Sequence, residues 1–322
     1  MKTSCALWAS RQLWKEVFKD DDSFLDLYFN TLIETKNTLA FYDFQTGDAF
    51  CRVDFLPFLI KWKKIRLQSF YISGAATAER ARGKGRMRQI LHVAHLKMWQ
   101  RGGLLAFLIP QEESLYNYYK ESGSYFRIAS AKTIKLEQVS FSRPSVALFL
   151  KDKEWRQKHL KGPFVEHNFT QWLVAIKNAT LYGGGAQWTD DLGLLFLEKI
   201  SDSPTKWATI VPSNVSVSSQ GFLSCSYPWG MARLIHIPRL MHLYAQMHPS
   251  LSWKFDLVDM DLPTNSGRYF LHHGKITFHP FKPSNSSLPL FTPDTLGSHI
   301  FDDKSFFFDR LMAPIFSPSE PS

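Results

Sequence analysis

The sequence predicts an α+β protein built from about two domains, and three observations support this fold class. The chain has 322 residues, roughly twice the length of a typical domain. Between residues 64 and 123, segments with strand-like and helix-like apolar spacing alternate. After residue 206, alternating segments typical of β-hairpins replace that pattern. Because 44% of the residues are hydrophobic, the chain can close folded cores, which excludes an intrinsically disordered protein.

The N-terminal part of the chain predicts two helices followed by a β-hairpin. Apolar residues recur at helical spacing on both sides of an acidic turn at residues 20–22, and Ser23 is the expected cap of the second helix because Asp26 follows three residues later. Strand-like runs at 38–44 and 49–56 are joined by a Gln-Thr-Gly-Asp turn.

The segment from residue 64 to residue 123 predicts a βαβα unit. A strand at 64–77 leads into a glycine-containing loop at 79–87, and a helix follows that ends at a pair of glycines. A buried strand at 104–110 and a helix at 112–120 complete the unit. The loop therefore lies at the N-terminus of a helix, where backbone N–H groups and the helix dipole favour an anion.

The loop is strongly basic, and its charge predicts a phosphate ligand. Its residues are Arg80, Arg82, Lys84, Arg86 and Arg88, set around Gly83 and Gly85. Glycines allow close approach of the backbone and the side chains add full positive charges, so a pyrophosphate or polyphosphate is the first predicted ligand. A solvated basic turn is the alternative. Neither the GxxxxGK[ST] pattern nor the three-glycine dinucleotide fingerprint is present.

The rest of the chain predicts fewer elements. A charged stretch at 151–161 and a helix near 169–176 precede three consecutive glycines. A helix opened by Pro238, an alternating segment at 251–259 and a hairpin that turns near His273 and Gly274 follow.

These segments resemble the GNAT N-acetyltransferase superfamily. Residues 82–87, Arg-Gly-Lys-Gly-Arg-Met, match its acetyl-coenzyme A loop R/Q-x-x-G-x-G/A, except that methionine replaces the final small residue. A second register over residues 80–85 matches every letter. Residues 119–124 match the pattern Y-x-x-x-G-F, except that Ser124 replaces the aromatic residue.

The resemblance implies roles for particular residues. The backbone N–H groups of the loop would bind the pyrophosphate of acetyl-coenzyme A, and the end of the preceding strand would contact its acetyl and pantetheine groups. Tyr119 would protonate the departing thiolate, with Tyr118 as the reserve. The cofactor-binding residues are then Ala75, Ala76, Thr77, Arg82, Gly83, Lys84, Gly85, Arg86 and Met87.

Three ordered stretches, at 71–87, 104–123 and 231–259, make the chain similar to the Eis-like branch of this superfamily. That resemblance implies a GNAT mixed-sheet acetyltransferase domain at 1–138 and a short degenerate GNAT-like region at 139–210. A C-terminal sterol-carrier-protein-like α/β domain at 211–316 and a tail at 317–322 would follow. The C-terminal domain would serve as a scaffold for the acceptor cleft, with lipid binding as the alternative.

The implied activity is transfer of acetyl from acetyl-coenzyme A to a primary amine, by direct attack in a ternary complex. The general base stays open: Eis-like enzymes use the terminal carboxylate, but this chain ends in a polar Ser-Pro-Ser-Glu-Pro-Ser segment. Glu79, Asp26, Glu34 and His167 are substitutes, and a neutral amine needs none. A non-catalytic acyl-coenzyme A- or lipid-binding protein is the alternative function.

Composition and charge limit the classes of binding partner and the cell compartment that we expect. The net charge of +9 is densest in the basic loop and no nucleic-acid-binding module occurs, so we expect no nucleic-acid partner. The three cysteines, Cys5, Cys51 and Cys225, support neither a disulfide framework nor a metal site. No apolar run is long enough for a membrane span. We expect a cytoplasmic protein acting on a small-molecule or peptide amine, and the resemblance favours a homo-oligomer.

Overall fold

The computed structural model describes residues 5–160, 162–199, 207–212, 222–223, 226–280 and 288–301. Cys225 and the predicted tail lie outside these residues. The helices are α1 (Cys5–Phe18), α2 (Asp22–Thr31), α3 (Arg86–Gln100), α4 (Glu113–Gly123), α5 (Val146–His159), α6 (Phe169–Leu181), α7 (Ile237–Met247) and α8 (Pro293–Ile300). Within the described part of the chain, no helix is long and apolar enough to span a membrane.

The strands form two sheets. They are β1 (Thr38–Tyr42), β2 (Ala49–Trp62), β3 (Ile65–Thr77), β4 (Leu105–Leu108), β5 (Phe126–Leu136), β6 (Phe164–Glu166), β7 (Gly185–Thr189), β8 (Gly193–Lys199), β9 (Trp207–Pro212), β10 (Phe222–Leu223), β11 (Tyr227–Leu234), β12 (Trp253–Leu257), β13 (Gly267–His272), β14 (Lys275–Pro280) and β15 (Leu290–Phe291). The large sheet has the order β1-β2-β3-β4-β11-β5-β9-β8-β7, and the small one has the order β14-β13-β12-β15.

The N-terminal helices and the hairpin of β1 and β2 confirm the prediction for this part of the chain. The cap of α2 is Asp21, so the prediction of Ser23 was wrong. The Asp21 carboxylate accepts a hydrogen bond from the Phe24 N–H at 2.8 Å, which places Ser23 inside the first helical turn. A carboxylate at this position also interacts favourably with the helix dipole.

The predicted βαβα unit is confirmed. β3 pairs with β4 in parallel because α3 crosses over between them, and α4 then returns the chain towards β5. On one face of the sheet, α3 and α4 cover a core that includes Phe55, Phe70 and Ile90. On the other face, α1 and α2 cover a second core that includes Trp14, Tyr28 and Phe107. Both ends of the loop are therefore anchored in packed elements.

The centre of the large sheet is closed by β11, which pairs antiparallel with both β4 and β5. Met231 lies opposite Leu108 of β4, and Ala232 lies opposite Phe126 of β5. β4 and β5 are neighbours along the chain, joined through α4, but they are separated in the sheet by this later strand. β7, β8 and β9 extend the same sheet beyond β5. The large sheet thus contains strands from both sides of the predicted domain boundaries at residues 138 and 210. The division of the chain into three units stays a prediction.

The charged stretch near residue 155 belongs to α5, which the sequence did not assign to a helix. Its apolar residues do not form one continuous stripe, so the helical period is weak. The helix is fastened instead by polar contacts: Asp152 and Arg156, both buried, form an ion pair at 3.0 Å.

The small sheet confirms the predicted hairpin, since β13 and β14 are joined at His273 and Gly274, which both have positive φ angles. β15 adds a parallel strand beside β12. α8 packs against β5 and β11 of the large sheet. Phe255 and Tyr269 of the small sheet belong to the same core as Trp14 and Tyr28. The aromatic side chains thus join the two sheets through a shared core.

The position of β11 generates a testable prediction. A fragment of residues 1–138 lacks β11, so β4 and β5 would expose unpaired backbone groups at the centre of the sheet. We expect this fragment to aggregate or to melt without a cooperative transition, whereas the full chain melts cooperatively. Circular dichroism melting with light scattering makes the comparison. A monomeric fragment with a sharp transition would contradict the role given to β11.

Candidate active site

A gap opens in the large sheet where β3 continues beyond the end of β4. Parallel pairing runs from Ser69 opposite Leu105 to Tyr71 opposite Phe107, and β4 ends at Leu108. β3 continues to Thr77, paired on its other side with β2. Within the described chain, no strand pairs with residues 73–77 on the β4 side. The backbone at this strand end can therefore bind a ligand.

A β-bulge at Gly74 shapes the end of β3. Arg52 lies opposite Ala76 and Asp54 lies opposite Ser73, so one residue of β2 faces two residues of β3. Gly74 has φ +54°, and a Cβ there would lie 2.6 Å from Cε3 of Trp14. The absence of a side chain at Gly74 is therefore explained by the bulge and by the packing of α1.

The two predicted alanines lie on opposite sides of the bulged strand. Ala75 is partly buried against the core beneath α3 and α4. Ala76 is buried among small apolar residues of α1 and β2, with Ala9 as one neighbour. Thr77 ends the strand, and its carbonyl accepts a hydrogen bond from Nε of Arg82 at 3.2 Å. That contact joins the strand end to the basic loop.

The basic loop presents a row of unpaired backbone donors. Gly83 and Gly85 have φ angles of +73° and +67°, and Gly85 caps α3 without a side-chain hydrogen bond. Within the described residues, the N–H groups of residues 83–88 donate to no protein acceptor. The Arg82 N–H, in contrast, already donates to the Glu79 carbonyl at 3.1 Å. In the predicted register over residues 82–87, the unpaired backbone N–H donors therefore begin at Gly83.

Exposed basic side chains surround this row of donors. Arg82, Lys84, Arg86 and Arg88 are all exposed. Lys84 donates to the Arg80 carbonyl at 3.2 Å, which holds the loop closed on itself. A Cβ at Gly83 or at Gly85 would meet no atom within 4 Å, so these glycines serve the backbone conformation and leave open space outside it. The arrangement suits an anionic ligand with more than one phosphate.

α4 carries three tyrosines in different environments. Tyr116 and Tyr119 are buried, whereas Tyr118 is 37% exposed. The Tyr116 hydroxyl donates to the Pro228 carbonyl of β11 at 2.9 Å. Burial raises the pKa of Tyr119 above the ordinary value, with Tyr118 adding to the effect, so Tyr119 is protonated at neutral pH. A buried, protonated phenol is the state that a proton donor needs.

Tyr119 lies near Tyr71 of β3. Burial raises the pKa of Tyr71, and the neighbouring Tyr119 raises it further. Tyr71 is the last residue of β3 that pairs with β4. The two phenols thus lie close enough to interact electrostatically at the point where the strands separate.

The aromatic residue that the sequence seemed to lack at position 124 is found at position 125. Ser124 ends α4 in the left-handed conformation, with φ 52°, and Tyr125 is fully buried beside Tyr119 at 5.7 Å between ring centroids. A Cβ at Gly123 would lie 2.9 Å from Cε2 of Tyr125. α4 therefore ends three residues beyond the predicted residue 120, and Tyr125 supplies the buried aromatic ring beside Tyr119.

The four candidate bases lie in separate environments. Glu79 is exposed in the turn after β3. Asp26 pairs with Arg11 of α1 at 2.9 Å, and Glu34 pairs with a neighbouring lysine. His167 is buried with its ring 6.0 Å from that of Phe58. The structure does not bring these four side chains together.

A buried carboxylate that the sequence did not indicate lies beneath the bulge. Asp54 of β2 is fully buried, forms an ion pair with Arg52 and accepts a hydrogen bond from Thr38 at 2.7 Å. Its Oδ2 lies 3.1 Å from the position of a Cβ on Gly74. Burial raises the pKa of Asp54 and the Arg52 charge opposes that shift. The available signal was a pair of opposite charges, one on each side of Val53, in a mostly apolar strand.

Among the described side chains, no group of three or more His, Cys, Asp or Glu residues is placed to hold a metal ion.

Residues 7–125 match the family model of the acetyltransferase (GNAT) domain. The match covers α1 to the end of α4, with the loop and Tyr119 inside it. No curated protein matches the chain. The residues that are similar to a GNAT acetyltransferase domain thus lie in the N-terminal part of the chain.

Solved structures share the fold over most of the chain. A probable N-acyltransferase of unknown function from Enterococcus faecalis is 12% identical with a TM-score of 0.66, and the alignment covers 92% of this chain and 87% of that one. A GCN5-related N-acetyltransferase from Kribbella flavida is 13% identical with a TM-score of 0.64, over 91% and 87%. Eis1 from Mycobacterium abscessus is 12% identical with a TM-score of 0.63, over 92% and 87%. The predicted mixed α+β fold of GNAT type is confirmed.

The bulge generates a prediction about stability. Gly74→Ala forces a side chain into a left-handed backbone position and against Trp14, so we expect a loss of about 3 kcal/mol in the free energy of unfolding. Gly47→Ala is the matched control, because Gly47 has φ +75° with no atom within 4 Å of the added Cβ. It should cost about 1 kcal/mol. Urea unfolding measures both, and equal losses would contradict the packing argument.

Proposed function

We propose that the chain is an acetyl-coenzyme A-dependent N-acetyltransferase that transfers acetyl directly to a primary amine in a ternary complex. One observation carries the proposal: unpaired backbone N–H groups at the start of α3 follow a strand end that has no partner on the β4 side, and the buried phenol of Tyr119 lies near Tyr71 of that strand. The match of residues 7–125 to the GNAT acetyltransferase domain supports it.

The basic loop would bind the pyrophosphate of the acyl donor. The backbone N–H groups from Gly83 to Met87 are the proposed direct donors, and the side chains of Lys84 and Arg86 add charge. Arg82 would act through its side chain, which links the loop to Thr77. The pyrophosphate of acetyl-coenzyme A suits the basic loop, and its extended pantetheine arm suits the strand end.

The backbone of β3 that has no partner on the β4 side would bind the pantetheine arm. Ala75, Ala76 and Thr77 lie where β3 has no partner on the β4 side. An amide-containing chain placed there continues the hydrogen bonding of the sheet, as an added strand does. The Gly74 bulge changes the direction of the backbone at this point, and the buried pair of Arg52 and Asp54 supports it from below.

The reaction would proceed in one transfer step. The neutral amine nitrogen attacks the thioester carbonyl carbon, a C–N bond forms and the C–S bond breaks. The departing thiolate takes the proton of the Tyr119 hydroxyl, and the proton lost by the amine returns through water to Tyr119, which restores its phenol form. Positioning of the two substrates and protonation of the leaving group supply the rate enhancement. Asp54 is fully buried and already bonded to Thr38 and Arg52, so its proposed role is to support the bulge.

We further propose that the small sheet, with α7 and α8, is a sterol-carrier-protein-like scaffold. Its apolar residues share a core with α1 and α2, and Phe301 after α8 packs on Trp62 at 4.8 Å and on Phe126 at 6.3 Å between centroids. Packing of this kind supports a scaffold role over lipid carriage.

The activity is tested with acetyl-coenzyme A and a panel of amines, with released thiol as the signal. Tyr119→Phe removes the proton donor and keeps the ring, so we expect kcat to fall about 10²-fold or more. Affinity for acetyl-coenzyme A should change less than about threefold, because the phenol acts only in the transfer step.

Tyr116→Phe is the matched control for Tyr119→Phe. It removes another buried hydroxyl of α4, one that bonds to the Pro228 carbonyl, and should cost about 1 kcal/mol of stability while leaving kcat nearly unchanged. If acetyl-coenzyme A stabilises the wild-type protein and no amine yields thiol, the non-catalytic binding function replaces this proposal. Met87, where the family pattern has a small residue, favours that alternative.

The loop generates a separate prediction about binding. Gly85→Ala places a Cβ in the open space where the pyrophosphate would lie and strains the start of α3, so affinity for acetyl-coenzyme A should fall about tenfold or more. Isothermal titration calorimetry measures the affinity. Gly47→Ala, with a similar positive φ in a distant turn, should bind like the wild type. An unchanged affinity in Gly85→Ala would remove the loop from the donor site.

A further inference from the structure

A chain of hydrogen bonds links the segment after β12 to the surroundings of Tyr119. The Asp261 carboxylate contacts Nδ1 of His92 at 2.6 Å through Oδ1, and Nδ1 of His95 at 2.6 Å through Oδ2. Nε2 of His95 lies 2.9 Å from the Tyr125 hydroxyl. We call these four residues, Asp261, His92, His95 and Tyr125, the imidazole clamp.

The clamp fixes one tautomer of its central histidine. A carboxylate accepts hydrogen bonds, so Nδ1 of His95 donates to Asp261 and Nε2 accepts from the Tyr125 hydroxyl. Both His95 and Tyr125 are fully buried. An unbonded imidazole or phenol at this depth would be costly, so each member of the clamp depends on the next.

A buried arginine braces the clamp. Arg233 of β11 donates to Asp259 at 2.8 Å, lies 3.2 Å from the Asp261 carboxylate, and donates to the Gly123 carbonyl at 2.6 Å. Asn265 in turn donates to Asp259 at 2.9 Å. The same buried cation thus holds the acidic segment and the C-terminal end of α4.

The clamp reaches the candidate proton donor through Tyr125. The Tyr125 ring packs against Tyr119 with 5.7 Å between centroids and an interplanar angle of 64°. Gly123, at the end of α4, has no side chain, and an added Cβ would lie 3.4 Å from Cε1 of His95. Displacement of His95 or Tyr125 would therefore change the position of Tyr119.

We propose that Asp261 is a positioning residue for the acetyl transfer, acting through His95 and Tyr125 to hold Tyr119 at the gap between β3 and β4. This inference rests on the proposed function of that site. It also gives a reason for the tyrosine after Ser124: a phenylalanine would fill the same space, but only the hydroxyl connects α4 to His95. The segment after β12 then contributes a specific polar contact to the site in addition to apolar packing.

The charges of the clamp favour the same arrangement at neutral pH. Burial lowers the pKa of His95, so its neutral form persists. Burial alone would raise the pKa of Asp261, but the hydrogen bonds from His95 and His92 and the charge of Arg233 outweigh it and lower that pKa. Acidification therefore opposes the folded arrangement at His95 as the pH falls below about 6.5, and at Asp261 only as it falls below about 4.

Asp261→Asn tests the proposal in the full-length protein. The amide keeps the shape of the carboxylate but leaves one imidazole N–H opposite an N–H₂ group. We expect faster hydrogen exchange in residues 113–127, and a kcat at least about tenfold lower, with the KM for acetyl-coenzyme A changed less than about threefold.

Asp256→Asn is the matched control. Asp256 is a buried carboxylate of the small sheet, bonded by Arg268 at 2.8 and 3.0 Å. Its loss should destabilise the protein without faster exchange in residues 113–127 in the folded state, and kcat should stay within about twofold. Tyr125→Phe removes the connecting hydroxyl, so adding Asp261→Asn to it should lower kcat little further.

The outcomes separate this proposal from the proposed function. Unchanged exchange in residues 113–127 of Asp261→Asn overturns the positioning role, as does faster exchange with a wild-type kcat. A wild-type protein that binds acetyl-coenzyme A but releases no thiol with any amine overturns the proposed function and, with it, a positioning role in catalysis. The exchange experiment still reports in that case whether Asp261 holds α4.

Discussion

Antiparallel pairing of β11 with both β4 and β5 is the interaction on which the rest of the structure depends. It closes the centre of the large sheet, and it brings Arg233 beneath the end of α4. The segments that follow β11 are then held close to the N-terminal part of the chain, so that Asp261 reaches α3 and α8 packs on β5. Backbone pairing by itself confers little sequence specificity. Here it determines which distant side chains come into contact.

The proposed chemistry uses backbone groups that have no hydrogen-bond partner in the sheet or in the loop that follows it. β4 is short, so β3 continues past Tyr71 paired only with β2 within the described chain, and the chain then turns through Gly83 and Gly85 into α3. Unpaired N–H groups are costly when buried but inexpensive at an exposed helix start, where water or an anion satisfies them. Tyr119 shows the opposite arrangement, because burial keeps its phenol protonated beside the gap. In this proposal the acyl donor binds at a solvent-exposed loop, whereas the proton comes from a buried side chain.

Local features were predictable from the sequence and long-range pairings were not. The order of strand, loop and helix around Gly83 follows from apolar spacing and glycine positions, which act over a few residues. The place of β11 between β4 and β5 depends on pairing between distant parts of the chain, and the contact between His95 and Asp261 joins residues 166 positions apart. Tyr125 was missed for a smaller reason: the buried aromatic residue follows Ser124, one position beyond the place that the motif gives it.

The central claim, that the start of α3 binds the phosphates of the acyl donor, is tested most directly by backbone NMR. Acetyl-coenzyme A is titrated into protein labelled with ¹⁵N-glycine, which reports on 17 glycines. The account predicts that the N–H signals of Gly83 and Gly85 shift most, while that of Gly47, in the turn between β1 and β2, stays in place. Binding that leaves Gly83 and Gly85 unperturbed would contradict it.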